Sequence, residues 1–373
     1  MIRPSKVPFI KPRITTIDVL RAVKSLNSGW LTHHKYTEIF ERELTSELNI
    51  SGKRAIMTSS CTASLEMALM LADLSPGDTV ITTPLSYVAT SNVILFQNLN
   101  LVFVDVDSTT GLITPEVVEK AITEDTKAVI VVHLYGQMVD MVGFHDLARK
   151  YNIKIIEDAA HCLEGSRDGI SPGELGFAAA FSFHSAKNIT SGQGGALAIA
   201  EDLTQTAKLI RRDGIYNDLN DVRVMEILGK KFDSTDFQAA LLIGQVRRIR
   251  KQHESRLNSL QTYIDFLNKN GIANLSIEKN VIHAAHLITI QVENNKRTEI
   301  RNYLKKRNIS TSIHYNPIHL EPYYRKTFGF TESTFPNAEK IGLSCISLPL
   351  YANMKRAELK YVCSELLKAL RSI

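Results

Sequence analysis

A lysine near the middle of the chain carries the strongest chemical signal. Lys187 follows the apolar segment 178–183 and precedes the turn-forming segment 190–195, which is rich in glycine. A lysine at the end of a packed strand must be solvated, paired or used chemically. In a partly desolvated pocket its amine can lose its proton, attack a carbonyl and form a Schiff base. Because most lysines are simply exposed, Lys187 taken alone is better explained as a surface residue, and the rest of the chain must decide.

An aspartate and a histidine follow another apolar segment. Asp158 ends the segment 153–158, and His161 lies three residues later. A buried carboxylate can keep the pyridine nitrogen of pyridoxal 5′-phosphate (PLP) protonated, as the ring requires to act as an electron sink. His161 could approach the same ring or its 3′-oxygen. The alternatives are a helix cap at Asp158 and an ordinary hydrogen-bonded histidine at position 161.

Further polar and aromatic residues occur at two other strand ends and in the strand that precedes Lys187. Cys61 and Thr62 lie between a predicted strand and a predicted helix, where backbone N–H groups form an anion site. Ser182 supplies a second hydroxyl, and Tyr87 could stack on a planar ring. Each residue alone is explained as a cap or a packed side chain. Together with Lys187 they provide a phosphate site, a stacking partner and an amine, which predicts a PLP enzyme.

The elements that must position these residues follow an alternating pattern. Short apolar segments alternate with helical ones between about residues 50 and 200, and the predicted strands are 55–59, 79–82, 101–106, 128–133, 153–158, 178–183 and 195–200. Strands with few polar residues are buried on both faces. The pattern therefore predicts an α/β fold with a mostly parallel, doubly wound seven-stranded sheet. Ligands of such sheets bind beyond the carboxyl ends of the strands.

The pattern changes towards the C-terminus and divides the chain. We predict an N-terminal arm at 1–35, a large PLP-binding α/β domain at 36–250 and a small C-terminal α+β domain at 251–373. One long helix at about 235–270 would link the two domains. Within the small domain the predicted strands are 286–292, 311–314 and 346–348.

Composition narrows the class of protein. The 373 residues are 44% hydrophobic and 22% charged, with a net charge of +5, which is ordinary for a globular chain. No apolar run is long enough to span a membrane, and no aromatic residues alternate with basic ones as in nucleic-acid binders. The basic cluster 247–251 is predicted to be a solvated helix face. Four scattered cysteines without a CxxC pair indicate a reducing cytoplasm. We therefore predict a cytoplasmic protein with neither membrane nor nucleic acid as partner.

Several segments together resemble a known family. The segments 59–65, 103–107, 132–136, 157–161, 181–188, 194–195, 238–240, 314–315 and 347–350 resemble, in order, those of the DegT/StrS sugar-nucleotide aminotransferases. That family belongs to the aspartate-aminotransferase-like, fold type I class of PLP enzymes. The resemblance implies that glutamate donates an amino group to the keto group of a nucleotide-linked, 4-keto-6-deoxy sugar for glycan or polysaccharide biosynthesis. It also implies a homodimer with active sites at the interface.

The resemblance also implies roles for individual residues. Lys187 would bind PLP and move a proton, and Asp158 and His161 would complete the catalytic set. The remaining residues expected at the cofactor are Cys61, Thr62, Tyr87 and Ser182; those expected at the substrate are Trp30, Thr32, His314, Tyr315 and His319.

Two segments depart from the family pattern. The resemblance implies that the segment 229–233 reaches the PLP phosphate of the partner subunit. Here it reads Gly-Lys-Lys-Phe-Asp, and an aspartate facing that phosphate is repulsive. We therefore expect Lys231 to make the contact with the phosphate. Residues 29–35 lack the family's Gly-Pro turn and carry His33 and His34. No third ligand accompanies these histidines, so we predict no metal site.

Three alternative functions are each disfavoured by one feature of the sequence. A sugar 3-dehydratase of the same fold would carry a histidine in place of the lysine, whereas this chain has Lys187. A non-catalytic regulatory relative would be expected to lose Lys187 or Asp158, and both are present. A Rossmann-type dinucleotide binder would need a G-x-G-x-x-G segment after its first strand, which is absent from the sequence.

Overall fold

The computed structural model describes residues 6–373, so the first five residues of the predicted arm lie outside the described part. The α-helices are α1 (Thr16–Asn27), α2 (Lys35–Leu48), α3 (Cys61–Leu71), α4 (Ala89–Phe96), α5 (Pro115–Glu119), α6 (Met141–Tyr151), α7 (Thr204–Arg211), α8 (Asp236–Val246), α9 (Ile249–Lys269), α10 (Arg297–Lys306), α11 (Pro322–Phe328), α12 (Pro336–Ser344) and α13 (Arg356–Ser372). The strands are β1 (Lys53–Thr58), β2 (Thr79–Thr82), β3 (Asn100–Phe103), β4 (Thr126–Val132), β5 (Lys154–Asp158), β6 (Ser166–Arg167), β7 (Ala178–Ser182), β8 (Gly195–Ala200), β9 (Ile215–Asn217), β10 (Arg223–Met225), β11 (Val281–Ile282), β12 (Ile288–Gln291) and β13 (Cys345–Leu348).

Residues 53–200 contain a seven-stranded sheet, as predicted. Its spatial order is β1-β8-β7-β5-β4-β2-β3, and β8 alone runs antiparallel to its neighbours. Strands β2, β4, β5 and β7 are almost entirely buried because helices cover both faces. The carboxyl ends of the parallel strands therefore meet along one edge, where the predicted site residues follow.

The predicted long helix at 235–270 is wrong in one respect, because it is two helices. Helix α8 ends at Val246 and α9 begins at Ile249, with Arg248 between them in a non-helical conformation. The Arg248 guanidinium turns onto the fully buried carboxylate of Asp18 in α1. A Cβ at Gly244 would lie 2.0 Å from Asp18 Oδ1, so glycine allows α1 to pack closely on α8. The interruption between α8 and α9 therefore follows from the contact that Arg248 makes with α1.

The predicted solvated face at 247–251 is also only partly correct. Arg247 contacts Glu43 at 2.5 Å, and Arg250 contacts Glu47 at 2.5 Å, both in α2. Both arginine side chains remain more than half exposed. The cluster therefore attaches α2 to the start of α9 through surface ion pairs, each of which contributes little stability.

In the C-terminal part of the chain, helices pack on a two-stranded antiparallel sheet. Strands β12 and β13 pair from Ile288–Leu348 to Gln291–Cys345, and apolar residues of α9, α10 and α13 cover them. The predicted strand at 311–314 is wrong, because only Ser312 forms an isolated bridge, with Ser347. This segment instead leads His314 and Tyr315 towards the large domain. In the part of the chain from residue 6 onward, no helix is long and apolar enough to cross a membrane.

Candidate active site

A cavity of about 400 Å³ lies at the carboxyl edge of the central sheet. Residues after β1, β2, β5 and β7 line it from the large domain, and residues 286–287 and 314–315 line it from the other side. Of the predicted site residues, Cys61, Thr62, Tyr87, Asp158, His161, Ser182, Lys187, His314 and Tyr315 line this cavity. Residues from five distant segments are thus brought to one cavity of the size of a small-molecule site.

Lys187 lies in the turn after β7, with its backbone N–H bonded to the His184 carbonyl at 2.9 Å. Burial lowers the pKa of its amine to about 8, although the nearby carboxylate of Asp158 acts in the opposite direction. An amine with this pKa is neutral in roughly a tenth of molecules at pH 7, compared with about one in 3,000 for an ordinary lysine. The cavity therefore prepares Lys187 to act as a nucleophile and a base.

This shift predicts how Lys187 reacts in the cofactor-free protein. Below pH 8 we expect its rate of acylation to rise about tenfold per pH unit, because only the neutral amine reacts, and to level off above pH 8. Lys150 is the matched comparison, since its hydrogen bond to the Glu119 carboxylate raises the pKa of its amine. Pulse labelling followed by mass spectrometry measures both rates. A pH profile for Lys187 that follows that of Lys150 would contradict the prediction.

Asp158 is fixed at the end of β5 by hydrogen bonds to both oxygens. Thr90 donates its hydroxyl to Oδ2 at 2.7 Å, and the Ala160 N–H donates to Oδ1 at 3.1 Å. The Thr90 hydroxyl in turn lies 2.8 Å from that of Ser86. With 6% exposure, the carboxylate is held in one orientation at the cavity wall. It can therefore pair with a cationic ring nitrogen without further reorganisation.

The N-terminus of α3 forms the anion-binding side of the cavity. Ser60 caps the helix by accepting a hydrogen bond from the Ala63 N–H at 3.1 Å, while the amides of Cys61 and Thr62 have no acceptor within the helix. Gly195 of β8 pairs with Thr58 on one side and Ser182 on the other. This pairing brings the Ser182 hydroxyl beside the helix N-terminus, which is a favourable place for a phosphate.

Gly195 is required for this arrangement, because a Cβ there would lie 2.4 Å from the Ser60 carbonyl carbon and 2.5 Å from the Cys61 nitrogen. We expect Gly195→Ala to displace the start of α3 at a cost of about 1–3 kcal/mol, weakening PLP binding about 5–150-fold. Equilibrium titration of PLP absorbance measures the affinity. Gly192→Ala is the comparison variant: its positive φ of 84° strains any added side chain, but the methyl meets no atom within 4 Å, so it carries backbone strain without displacing α3. Equal affinities of the two variants would contradict the steric argument.

His161 is held on both ring nitrogens. Its Nδ1 accepts from the Tyr135 N–H at 3.2 Å, so Nε2 carries the proton and faces the Tyr315 hydroxyl at 3.0 Å. The rings of His161 and Tyr315 stack with their centroids 5.9 Å apart. Tyr135 adopts a positive φ of 61°, which directs its N–H to this imidazole. The hydroxyl of Tyr135 also donates to the His314 carbonyl. Tyr135 therefore forms hydrogen bonds with His161 on one side of the cavity and with His314 on the other.

The imidazoles around the cavity are neutral near pH 7. Burial, followed by the nearby charge of Lys187, lowers the pKa of His161 well below its usual value and that of His314 to about 4. His286 is shifted in the same direction for the same reasons. The histidines therefore add no positive charge next to the amine, and they can serve as neutral hydrogen-bonding groups.

Four predicted residues lie outside the cavity lining of the described chain. Trp30 and Thr32 are exposed, and the Trp30 ring packs on that of His34. His319 is fully buried and bonds Glu339 at 3.0 Å, so the structure does not bring it to the cavity. Lys231 is 70% exposed and pairs with Asp233 at 2.8 Å, which neutralises the unexpected aspartate.

Sequence reasoning missed three residues that shape the cavity: Thr90, Tyr135 and His286. Thr90 is the second residue of α4, eight residues after the end of β2, and a hydroxyl there gives no signal of its own. Tyr135 lies within a segment that carries the family resemblance, yet its function is in its backbone N–H. His286 stands at the edge of a predicted strand without any motif.

The groups present match the chemical requirements of PLP. An amine with a lowered pKa, an oriented carboxylate, an aromatic ring at Tyr87 and a helix N-terminus with two free amides surround one cavity. The close approach of Gly195 leaves no room for a side chain between β8 and the start of α3. These are the partners for the aldehyde, the ring nitrogen, the ring face and the phosphate of the cofactor.

Comparisons with known proteins agree with this geometry. The family model described as the DegT/DnrJ/EryC1/StrS aminotransferase family matches residues 12–367. The uncharacterized protein MJ1066 of Methanocaldococcus jannaschii is 38% identical over 368 residues, 95% of each chain. The spore coat polysaccharide biosynthesis protein SpsC of Bacillus subtilis is 34% identical over 365 residues, 93% of each chain.

Solved structures show the same architecture. Helicobacter pylori PseC, an aminotransferase involved in the biosynthesis of pseudoaminic acid, matches with a TM-score of 0.93 and 26% identity over 99% of this chain and 100% of PseC. The Streptococcus pneumoniae protein Spr1654 in its PLP form matches with a TM-score of 0.92 and 26% identity over 98% of this chain and 99% of that chain. The chain belongs to the DegT/DnrJ/EryC1/StrS aminotransferase family. It is a transaminase with the fold type I architecture, which confirms the predicted family, class and fold.

Proposed function

We propose that this protein binds PLP and transfers an amino group from glutamate to a keto group of a nucleotide-linked sugar. The single observation that carries the proposal is the cavity shared by Lys187, with its lowered amine pKa, and the oriented carboxylate of Asp158. PLP supplies the electron sink that stabilises negative charge at the donor's α-carbon. The remaining chemistry is assigned to residues of this chain.

Each residue has a separate task. Lys187 holds the cofactor aldehyde, and once released its neutral amine moves a proton from the donor's α-carbon to C4′ of the cofactor. Asp158 keeps the pyridine nitrogen protonated, and Tyr87 packs on the ring. The amides of Cys61 and Thr62, with the Ser182 hydroxyl, bind the phosphate. His161 and Tyr315 form a neutral wall that excludes water on the other side.

The sugar substrate is supported by the relatives. SpsC is named for polysaccharide biosynthesis, and PseC for the biosynthesis of pseudoaminic acid. We infer a nucleotide-linked keto-sugar of the 4-keto-6-deoxy type, with glutamate as donor, and a cytoplasmic place of action. Retention of Lys187 favours transamination over the dehydratase alternative, in which a histidine would replace it.

Absorbance spectroscopy tests the proposed function. The purified chain with PLP is expected to show a visible band that is lost when glutamate is added and restored by a suitable keto-sugar. A panel of nucleotide-linked 3-keto and 4-keto sugars, assayed for glutamate-dependent amination, identifies the acceptor. A wild-type protein without the band would overturn the cofactor assignment. A band that glutamate leaves unchanged would overturn the donor alone.

We also propose a homodimer in which Lys231 contacts the partner's PLP phosphate. The Lys231 side chain is 70% exposed and forms ion pairs with Asp213 and Asp233. The segment 229–233 therefore presents a lysine at the surface, where a partner subunit can reach it. Lys231→Ala is expected to weaken PLP binding about 10–150-fold, as loss of one charge-assisted hydrogen bond does. Titration of PLP measures it, with exposed Lys154→Ala as the control. Unchanged PLP affinity in Lys231→Ala would exclude this contact.

A further inference from the structure

A buried ion pair lies behind the turn that carries Lys187. Arg256 of α9 donates to Glu164 Oε1 at 2.5 Å, and both side chains are at most 2% exposed. The Arg256 Nε has no hydrogen-bond partner among the described residues. Buried ion pairs stabilise a fold no better than apolar side chains of similar volume, and an unpartnered donor adds a cost. Stability alone therefore does not explain why this pair is here.

The second oxygen of Glu164 connects the pair to the cavity. Asn188, the neighbour of Lys187, donates its Nδ2 to Glu164 Oε2 at 2.9 Å and to the Ala284 carbonyl at 3.1 Å. Both partners are acceptors, so the amide nitrogen must lie on this side and the amide oxygen on the other. The orientation of the Asn188 side chain is thus determined by Glu164, through the shorter contact, together with the Ala284 carbonyl.

The amide oxygen of Asn188 then acts on a histidine of the cavity wall. It lies 3.3 Å from Nδ1 of His286, which is 4% exposed and lines the cavity. A neutral imidazole facing an oxygen that can only accept must carry its proton on Nδ1. No hydrogen bond to Nε2 of His286 is present in residues 6–373, so this nitrogen keeps its lone pair free in the cavity that Lys187 and His161 also line.

We propose that Glu164, held by Arg256, is a positioning residue that acts through Asn188 to keep the His286 proton on Nδ1. Nε2 of His286 then faces the site as a neutral acceptor for a donor group in the cavity, such as the ammonium form of Lys187 or a substrate hydroxyl. The tautomer follows from the contacts alone, whereas its catalytic consequence rests on the proposed transamination.

The test uses ¹⁵N NMR of histidine-labelled, full-length protein without cofactor, which reports the tautomer of His286 directly. The double variant Glu164→Leu/Arg256→Met removes the side-chain acceptor for Asn188, leaves only the longer contact with the Ala284 carbonyl, and leaves no buried unpaired charge. Glu164→Gln/Arg256→Met is its matched control, because the glutamine oxygen can still accept from Asn188. We expect the leucine variant to lose the pure Nδ1–H signature and the glutamine variant to retain it.

Kinetics and a single variant complete the test. In the single-turnover reaction with glutamate we expect a two- to tenfold slower rate for the leucine pair and a rate within about twofold of wild type for the glutamine pair. If either pair fails to fold, Asn188→Ala leaves the ion pair intact and is expected to lose the same signature. An unchanged His286 tautomer in Asn188→Ala, or equal spectra of the two pairs, would overturn the proposal. Because the NMR measurement needs no turnover, its result is separate from that of the proposed function.

Discussion

Lys187→Ala is expected to lower the rate of transamination by about 10⁴-fold or more. The variant loses the amine that holds the cofactor and the base that moves the proton, and positioned acid–base groups alone contribute up to about 10⁴-fold. Single-turnover absorbance with glutamate measures the rate. PLP binding should weaken less, since Asp158, Tyr87 and the α3 N-terminus retain their contacts.

The control for this variant is Lys150→Ala. Lys150 is 62% exposed and pairs with Glu119 on the surface, so its loss should leave the rate unchanged. Added methylamine should restore part of the activity of Lys187→Ala, because a small amine can enter the vacated space and act as the base. A Lys187→Ala variant with wild-type turnover would assign the chemistry to another residue.

Asp158→Asn is expected to lower the same rate by about 10²–10³-fold, the usual effect of removing one preorganised electrostatic partner. The amide keeps the shape of the side chain but no longer favours a proton on the ring nitrogen. The visible band of bound PLP should also change position, because its energy depends on that proton. Stopped-flow kinetics and the spectrum of the bound cofactor provide two independent readouts.

Two variants separate charge from shape at this position. Thr90→Val removes the hydroxyl that orients Asp158 Oδ2 and should cost roughly tenfold, the lower end of the range for a hydrogen bond to a charged group, because the Ala160 N–H still holds Oδ1. Asp146→Asn, at an exposed position of α6, should have no effect. If Asp158→Asn were no more harmful than Thr90→Val, the carboxylate charge would not be the working property of Asp158.

The sequence by itself determined the central sheet and the residue types of the site. Apolar strands of four to seven residues are visible locally, and parallel strands bring their carboxyl ends to one edge whatever the details of packing. Cys61, Asp158, Ser182 and Lys187 could therefore be placed together from their positions after strands. The local pattern predicted one continuous helix where the structure has α8 and α9, because the contact of the Arg248 side chain interrupts the helix.

Only the tertiary structure decided which other groups complete the cavity. Thr90 and Asp158 are 68 residues apart, and His286 and Asn188 are 98 apart, so no local periodicity links them. The same holds for the desolvation that lowers the pKa of Lys187, since burial depends on everything that covers the amine. Strand ends are set by short-range pattern, whereas hydrogen-bond partners, tautomers and pKa values are set by contacts between distant segments.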